Sequence, residues 1–174
     1  MNQFYEAWVE TVFRVIARRT GARVKVGRKR ETTQPISWDP PYLGSQKSLV
    51  PDIWLEWDST TLIVDAKYKR HWEEMGSHRW SDIEEQVREE HRNDLLQVLA
   101  YANLAHTARA IVCLAYPCSP ESWASLTERG RVLHKAEVSI GSRSLHLWLT
   151  AVPMATAVES IAEPLGREVR SALQ

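Results

Sequence analysis

The run Ala110-Ile-Val-Cys-Leu-Ala-Tyr116, stopped by Pro117, restricts the folds open to this chain more than any other stretch. Seven apolar or aromatic residues in a row leave no polar face, so a strand here must be buried on both sides. Burial on both sides requires helices above and below the sheet. The neighbouring periodicities supply them. The element order αβββαβαββα reads as one three-layer α/β domain over residues 1–174, with a central mixed β-sheet flanked by helices.

Residues 3–19 carry Phe4, Trp8, Val12 and either Val15 or Ile16 at helical spacing, with Gly21 as a stop. Glu6 falls in the first turn, where a carboxylate complements the helix dipole. Arg23 to Val26 alternates as a short strand. Residues 31–48, which include Pro40-Pro41, form a loop long enough to be functional. Residues 70–80 show no clean period. Ser81 then reads as an N-cap with Glu84 in capping-box position. The helix it opens runs to about His106 with a break near His91 to Asn93, and its apolar half from Asp94 packs on the sheet. Ser119 caps a short helix with Pro120 in its first position. Val132 to Ile140 and Leu145 to Ala151 are strands around a Gly141-Ser142 turn. Leu145, Leu147 and Leu149 point one way, His146 and Trp148 the other. Residues 153–173 make a last helix, interrupted at Pro164.

Composition removes several function classes. With 44% hydrophobic and 25% charged residues the chain is not disordered. No apolar run is long enough to span a bilayer and no leader opens the chain, so a cytoplasmic protein without a membrane partner is expected. Cys113 and Cys118 lack further ligands at zinc spacing, and Cys113 sits in the buried run. Twenty-two basic and 22 acidic residues cancel, which argues against gripping nucleic acid by bulk charge. The distribution is uneven, however. Thr11 to Arg30 holds eight basic residues and no acid, whereas Glu73 to Asp94 holds eight acids against Arg79, Arg88 and Arg92. Trp72, Trp80 and Trp123 flank polar segments, where core or rim packing competes with an interface role.

The chemistry concentrates in Leu49 to Lys69, two hydrophobic strands joined at Asp58, Ser59 and Thr60. One strand opens with Pro51-Asp52 and the other closes with Asp65-Ala66-Lys67. Strand alternation puts Asp65 and Lys67 on one face and the Ala66 methyl on the other. Two carboxylates and the Ala66 carbonyl would suit Mg²⁺, which takes few protein oxygens and keeps several waters. Lys67 would orient or deprotonate the attacking water. A lone D-x-K triplet is more often a surface ion pair; the joint pattern is what points to a metal site.

This pattern resembles the PD-(D/E)xK nuclease superfamily, and most of all the McrC-type nuclease subunit of McrBC modification-dependent restriction systems. The likeness covers roughly residues 3–116. It rests on Pro51-Asp52, on Asp65-Ala-Lys-Tyr-Lys69 and on Gln97-x-x-x-Tyr101, in the family's order. It implies a restriction-endonuclease-like fold and a helix face carrying Gln97 and Tyr101 towards the site. Gln97 would position Lys67 or a water, and Tyr101 would approach the scissile phosphate or serve as a core aromatic. Glu6 matches an acid that helps hold a metal in many such nucleases. Tyr68 and Lys69 are further candidates beside the metal shell, Lys69 for a phosphate, and Arg28, Lys29 and Arg30 for nucleic acid.

The expected function is therefore a Mg²⁺-dependent endodeoxyribonuclease, with Mn²⁺ able to substitute, in a restriction or anti-phage system. The alternatives are a non-catalytic nucleic-acid-binding or assembly module on the same fold, or a nuclease acting on RNA or branched DNA. The family's subunit carries an N-terminal region that docks a nucleotide-driven motor, whereas this chain starts at the nuclease helix. Either this is a trimmed piece of a longer chain, or it is a stand-alone nuclease or one recruited differently. Segment 70–92 is a candidate docking surface or specificity insert, and a homodimer is one way to cut both strands.

Overall fold

A computed structural model describes residues 2–140 and 143–174 of the protein. The chain opens with helix α1 (Asn2–Thr20) and strand β1 (Arg23–Val26), followed by a 3₁₀ turn (Gly27–Lys29). A small ribbon, β2 (Gln34–Pro35) with β3 (Ser48–Leu49), leads into the hairpin β4 (Ile53–Glu56) and β5 (Thr60–Ala66). Then come α2 (His71–Ser77), a 3₁₀ turn (Trp80–Asp82) and α3 (Glu85–Ala102). The remainder is β6 (Arg109–Cys118), α4 (Pro120–Glu128), β7 (Leu133–Ile140), β8 (Arg143–Pro153) and α5 (Val158–Leu173).

Six strands form one mixed sheet in the order β1-β4-β5-β6-β8-β7. The pairs β5–β6 and β6–β8 are parallel and the others antiparallel. The double-sided burial expected of β6 is present. Ile111, Cys113 and Ala115 join the core under α1 and α5, while Val112, Leu114 and Tyr116 join the core under α3. This is a three-layer α/β fold with a central mixed sheet. No helix among the described residues is long and apolar enough to cross a membrane.

Several local expectations are corrected. In α1 the buried stripe is Tyr5, Val9, Val12, Phe13, Ile16 and Ala17, while Phe4 is 74% exposed. Val12 and Ile16 are buried as the spacing predicts and Trp8 is partly buried, but the stripe also takes in Tyr5, Val9 and Phe13, a second i, i+4 series beside the first. Residues 71–77, aperiodic in sequence, form α2. Ser81 caps nothing: it lies in the 3₁₀ turn and donates to Asp82, and Glu84 precedes α3 without a side-chain cap. Helix α3 shows no break at His91 to Asn93 and ends at Ala102, short of His106. His91 and Asp94, which made that stretch look interrupted, are buried and hydrogen-bonded.

The last helix runs through Pro164 as one α-helix. Burying Ile161, Ala162, Leu165 and Val169 offsets the backbone bond that proline gives up. Similarly, β6 continues past Pro117, because β5 pairs only as far as Ala115 and the strand is bonded from there by β8 alone. Thr60 belongs to β5 and not to the turn. Ser119 does cap α4, accepting from the Ser122 backbone N–H, with Pro120 at the start. Trp123 is core, Trp72 half-buried and Trp80 exposed. The Gly141-Ser142 turn lies outside the described residues.

Candidate active site

The hairpin brings the acids together through its register. Ile53 faces Val64 across β4 and β5, and one further step places Asp52 opposite Asp65. Ile53, Leu55, Leu62, Val64 and Ala66 fill the core under α1 and α5. By alternation Asp52, Asp65 and Lys67 turn to the α3 face. The Asp52 carboxylate accepts the Ala66 backbone N–H at 2.8 Å, tying the two strand ends together. Lys67 extends the pairing, its backbone N–H donating to Ala115 O at 2.9 Å.

On that face the side chains form a line. Lys67 Nζ lies 2.7 Å from Asp65 Oδ2, a buried ion pair. The same Nζ donates to Gln97 Oε1 at 2.7 Å, and Gln97 Nε2 donates to the Tyr101 hydroxyl at 2.8 Å. Asp52, Asp65, Lys67, Gln97 and Tyr101 are therefore brought together. Tyr101 is a buried aromatic whose polar tip holds Gln97.

Burial lifts the Asp52 carboxyl to about 7, and the neighbouring Asp65 adds to the rise. Burial also raises Asp65, against the opposing pull of Lys67. Lys67 loses some affinity for its proton by burial, but Asp65 and Asp94 more than restore it, leaving it raised. Glu6 is raised by burial and then by Asp65, so it stands within charge range of the pair. Two buried carboxylates facing each other lower their energy by sharing a cation. The all-oxygen character of this buried, facing carboxylate pair fits a hard divalent ion. Among the described residues no three or more His, Cys, Asp or Glu side chains gather as a ligand group, so Glu6 does not close a three-carboxylate set.

Residues 1–117 match the McrBC 5-methylcytosine restriction system component family. The chain belongs to that family. The matched stretch spans every site residue from Glu6 to Tyr101. No curated protein matches the chain.

Around these residues the McrBC-family chain has a support that its sequence did not disclose. Asp94 of α3 is buried and accepts from Lys69 Nζ at 2.9 Å and from the Tyr116 hydroxyl at 2.9 Å, with Lys67 Nζ at 4.0 Å. His91 Nδ1 sits 3.0 Å from the same hydroxyl. Burial lowers His91 and His71, keeping both towards the neutral form. Asp94 stands three residues before Gln97, one helical turn away, which was the only available signal.

The Asp52 end is supported by Gly27 and Thr32. Gly27 N–H donates to Asp52 O at 2.8 Å, and buried Thr32 donates to Pro51 O at 2.5 Å. Of the outlying candidates, Tyr68 packs its ring against Tyr5, Lys69 is held by Asp94 and Glu90, and Arg28 by Glu10. Lys29 and Arg30 remain exposed. A cavity of about 450 Å³, lined by Trp72, Met75, Leu126, Arg129 and Leu149 among others, lies away from the acids. Leu149 occupies the same row of the sheet as Asp65, two strands along.

Proposed function

We propose that this McrBC-family protein is a Mg²⁺-dependent endodeoxyribonuclease of the PD-(D/E)xK type, the cleavage component of a restriction system. The observation that carries this reading is the line Asp52, Asp65, Lys67 and Gln97 on one face at the ends of β4 and β5. A non-catalytic module has no use for two carboxylates buried against each other beside a lysine steered by an amide. Asp52, Asp65 and the Ala66 carbonyl would hold the ion, with Glu6 adding negative charge nearby. When bound, Mg²⁺ acidifies a water and neutralises charge on the phosphate.

The chain's own groups then have separate parts. Lys67 places its ammonium beside Asp65 to orient the attacking water and balance charge on the phosphate. Gln97 fixes Lys67, and Tyr101 fixes Gln97. Asp94 anchors the lysine side of the site from beneath. The water oxygen forms the new bond to phosphorus and the strand's P–O bond breaks, leaving a phosphate end and a hydroxyl end. Zero net charge suits a cleavage module brought to DNA by a partner subunit. The deciding experiment is plasmid cleavage in Mg²⁺ by Asp65→Ala and Lys67→Ala proteins shown by circular dichroism to be folded. Loss of cutting is expected in both; a folded Asp65→Ala protein that cuts like the parent overturns the assignment.

A further inference from the structure

The ribbon β2–β3 and its connection carry three of the large exposed apolar side chains. Trp38 is 46% exposed, Tyr42 67% and Leu43 85%. The two rings are not loose. The Trp38 indole N–H donates to Gln46 O at 2.9 Å, and Tyr42 stands edge-on to it with centroids 6.5 Å apart. Ile36 N–H donates to Lys47 O at 2.8 Å, closing the ribbon below them. The aromatic pair is thus held outward by bonds within the ribbon.

The same ribbon is rooted at the site. Leu49 of β3 packs into the core under α3, the layer that Asp52 and Asp65 face. Only Val50 and Pro51 separate Leu49 from Asp52. Gln46, which holds Trp38, is six residues from Asp52, so that anchor lies within about 21 Å of the acid. Lys29 and Arg30 lie just before the ribbon and Lys47 within it, all three exposed, while of the two acids in residues 29–50, Glu31 accepts from the Val26 N–H and Asp39 lies in the ribbon's connection. Lys29 and Arg30 follow Gly27, whose N–H is bonded to Asp52 O, so the cations and the ribbon share one anchorage.

Outward aromatic faces beside cations form a surface for unpaired bases, because every base has a face to stack and its phosphates seek the positive charge. We infer that residues 34–49 form a stacking platform for an unpaired nucleic-acid strand next to the cut site. On the proposed nuclease reading, the preferred substrate is then DNA with a splayed or single-stranded segment. Nucleic acid is favoured over a protein occupant, since the ribbon that carries the rings also carries exposed Lys47 and runs directly into Asp52, with exposed Lys29 and Arg30 anchored beside the same residue through Gly27.

Fluorescence anisotropy in EDTA with the full chain tests this, using labelled single-stranded dT12, a blunt duplex and a duplex with one splayed end. The parent should bind the splayed and single strands at least tenfold more tightly than the blunt duplex. Trp38→Ala and Tyr42→Ala should each weaken that binding about tenfold with the blunt duplex little changed. Lys29→Ala should instead weaken all three substrates and flatten the salt dependence. Equal affinity for blunt and splayed DNA, no binding to dT12 at about 50 μM protein, or unchanged affinity in both aromatic variants overturns the inference; the last result would assign the rings to a protein partner. Failure of the nuclease reading is a separate result, cutting by Asp65→Ala.

Discussion

Gly27 is the residue whose replacement tests most directly how Asp52 is placed. A Cβ at this position would stand 2.6 Å from Pro51 O, and 3.3 Å from both Asp52 Cα and Val50 Cγ1. Ordinary contact begins near 3.4 Å, so the Pro51 carbonyl must retreat by about 0.8 Å. It cannot retreat freely. Pro51 O is the acceptor of buried Thr32, and Asp52 O is the acceptor of Gly27 itself. Overpacking of this kind costs about 1–3 kcal/mol, and a strained or lost buried hydrogen bond about 1 kcal/mol more. Gly27→Ala should therefore lose about 2–4 kcal/mol in urea unfolding followed by tryptophan fluorescence. A displacement approaching 1 Å at a reacting carboxylate should also lower plasmid cutting by up to about 100-fold. Gly44→Ala, where a Cβ meets nothing within 4 Å, is the control. If Gly27→Ala unfolds at the control's urea midpoint and cuts at the parent's rate, the placement of Asp52 by this contact is wrong.

Asp52→Asn keeps an acceptor for the Ala66 N–H but removes the charge. The unfolded chain releases this proton near pH 3.8 and the native one near 7, so native stability falls as pH rises between those values and stays lower above them. In EDTA the Asn variant should unfold at higher urea than the parent at pH 8, with the gap closing near pH 4; a parent that is the more stable at pH 8 refutes this. Tyr116→Phe deprives buried Asp94 of one donor and should cost about 1–3 kcal/mol by urea midpoint, and an unchanged midpoint would show the bond to be dispensable. In α1, Phe13→Ala should cost about 3–5 kcal/mol and Phe4→Ala under about 0.5, and the reverse order would restore Phe4 to the buried stripe in place of Phe13. Calorimetric titration with Mn²⁺ should give binding heat with the parent and none with Asp65→Ala; a silent parent would remove the metal from the site.

The parts of this molecule that declared themselves in sequence are those where one chemical property repeats. Ala110 to Tyr116 announced a strand buried on both faces, and alternation after Val64 put Asp65 and Lys67 on one face with the Ala66 methyl opposite. The spacing of Gln97 and Tyr101 put them on one helix face, where the two side chains hydrogen-bond. Polar residues that are buried by partners distant in sequence were illegible. His91 to Asn93 looked like a helix break because nothing nearby reveals that Tyr116 bonds both to His91 and to Asp94, 22 residues before it. Gly27 and Thr32 were silent for the same reason: their task is to meet the Pro51-Asp52 backbone, and backbone contacts leave no mark in residue type.

The sheet order has a consequence for any attempt to isolate the family-matched portion. That portion ends inside β6, yet the strand that pairs with the far side of β6 is β8, and the helix that lies along α1 is α5. A chain stopped at Pro117 would leave the Ile111 to Pro117 edge unpaired and strip α5 from α1, where Gly166 lies against Ile16. Such an edge, apolar on both faces, invites other chains to add themselves. Residues 118–174 thus act as the keystone of an arch whose candidate site residues all stand on the other side.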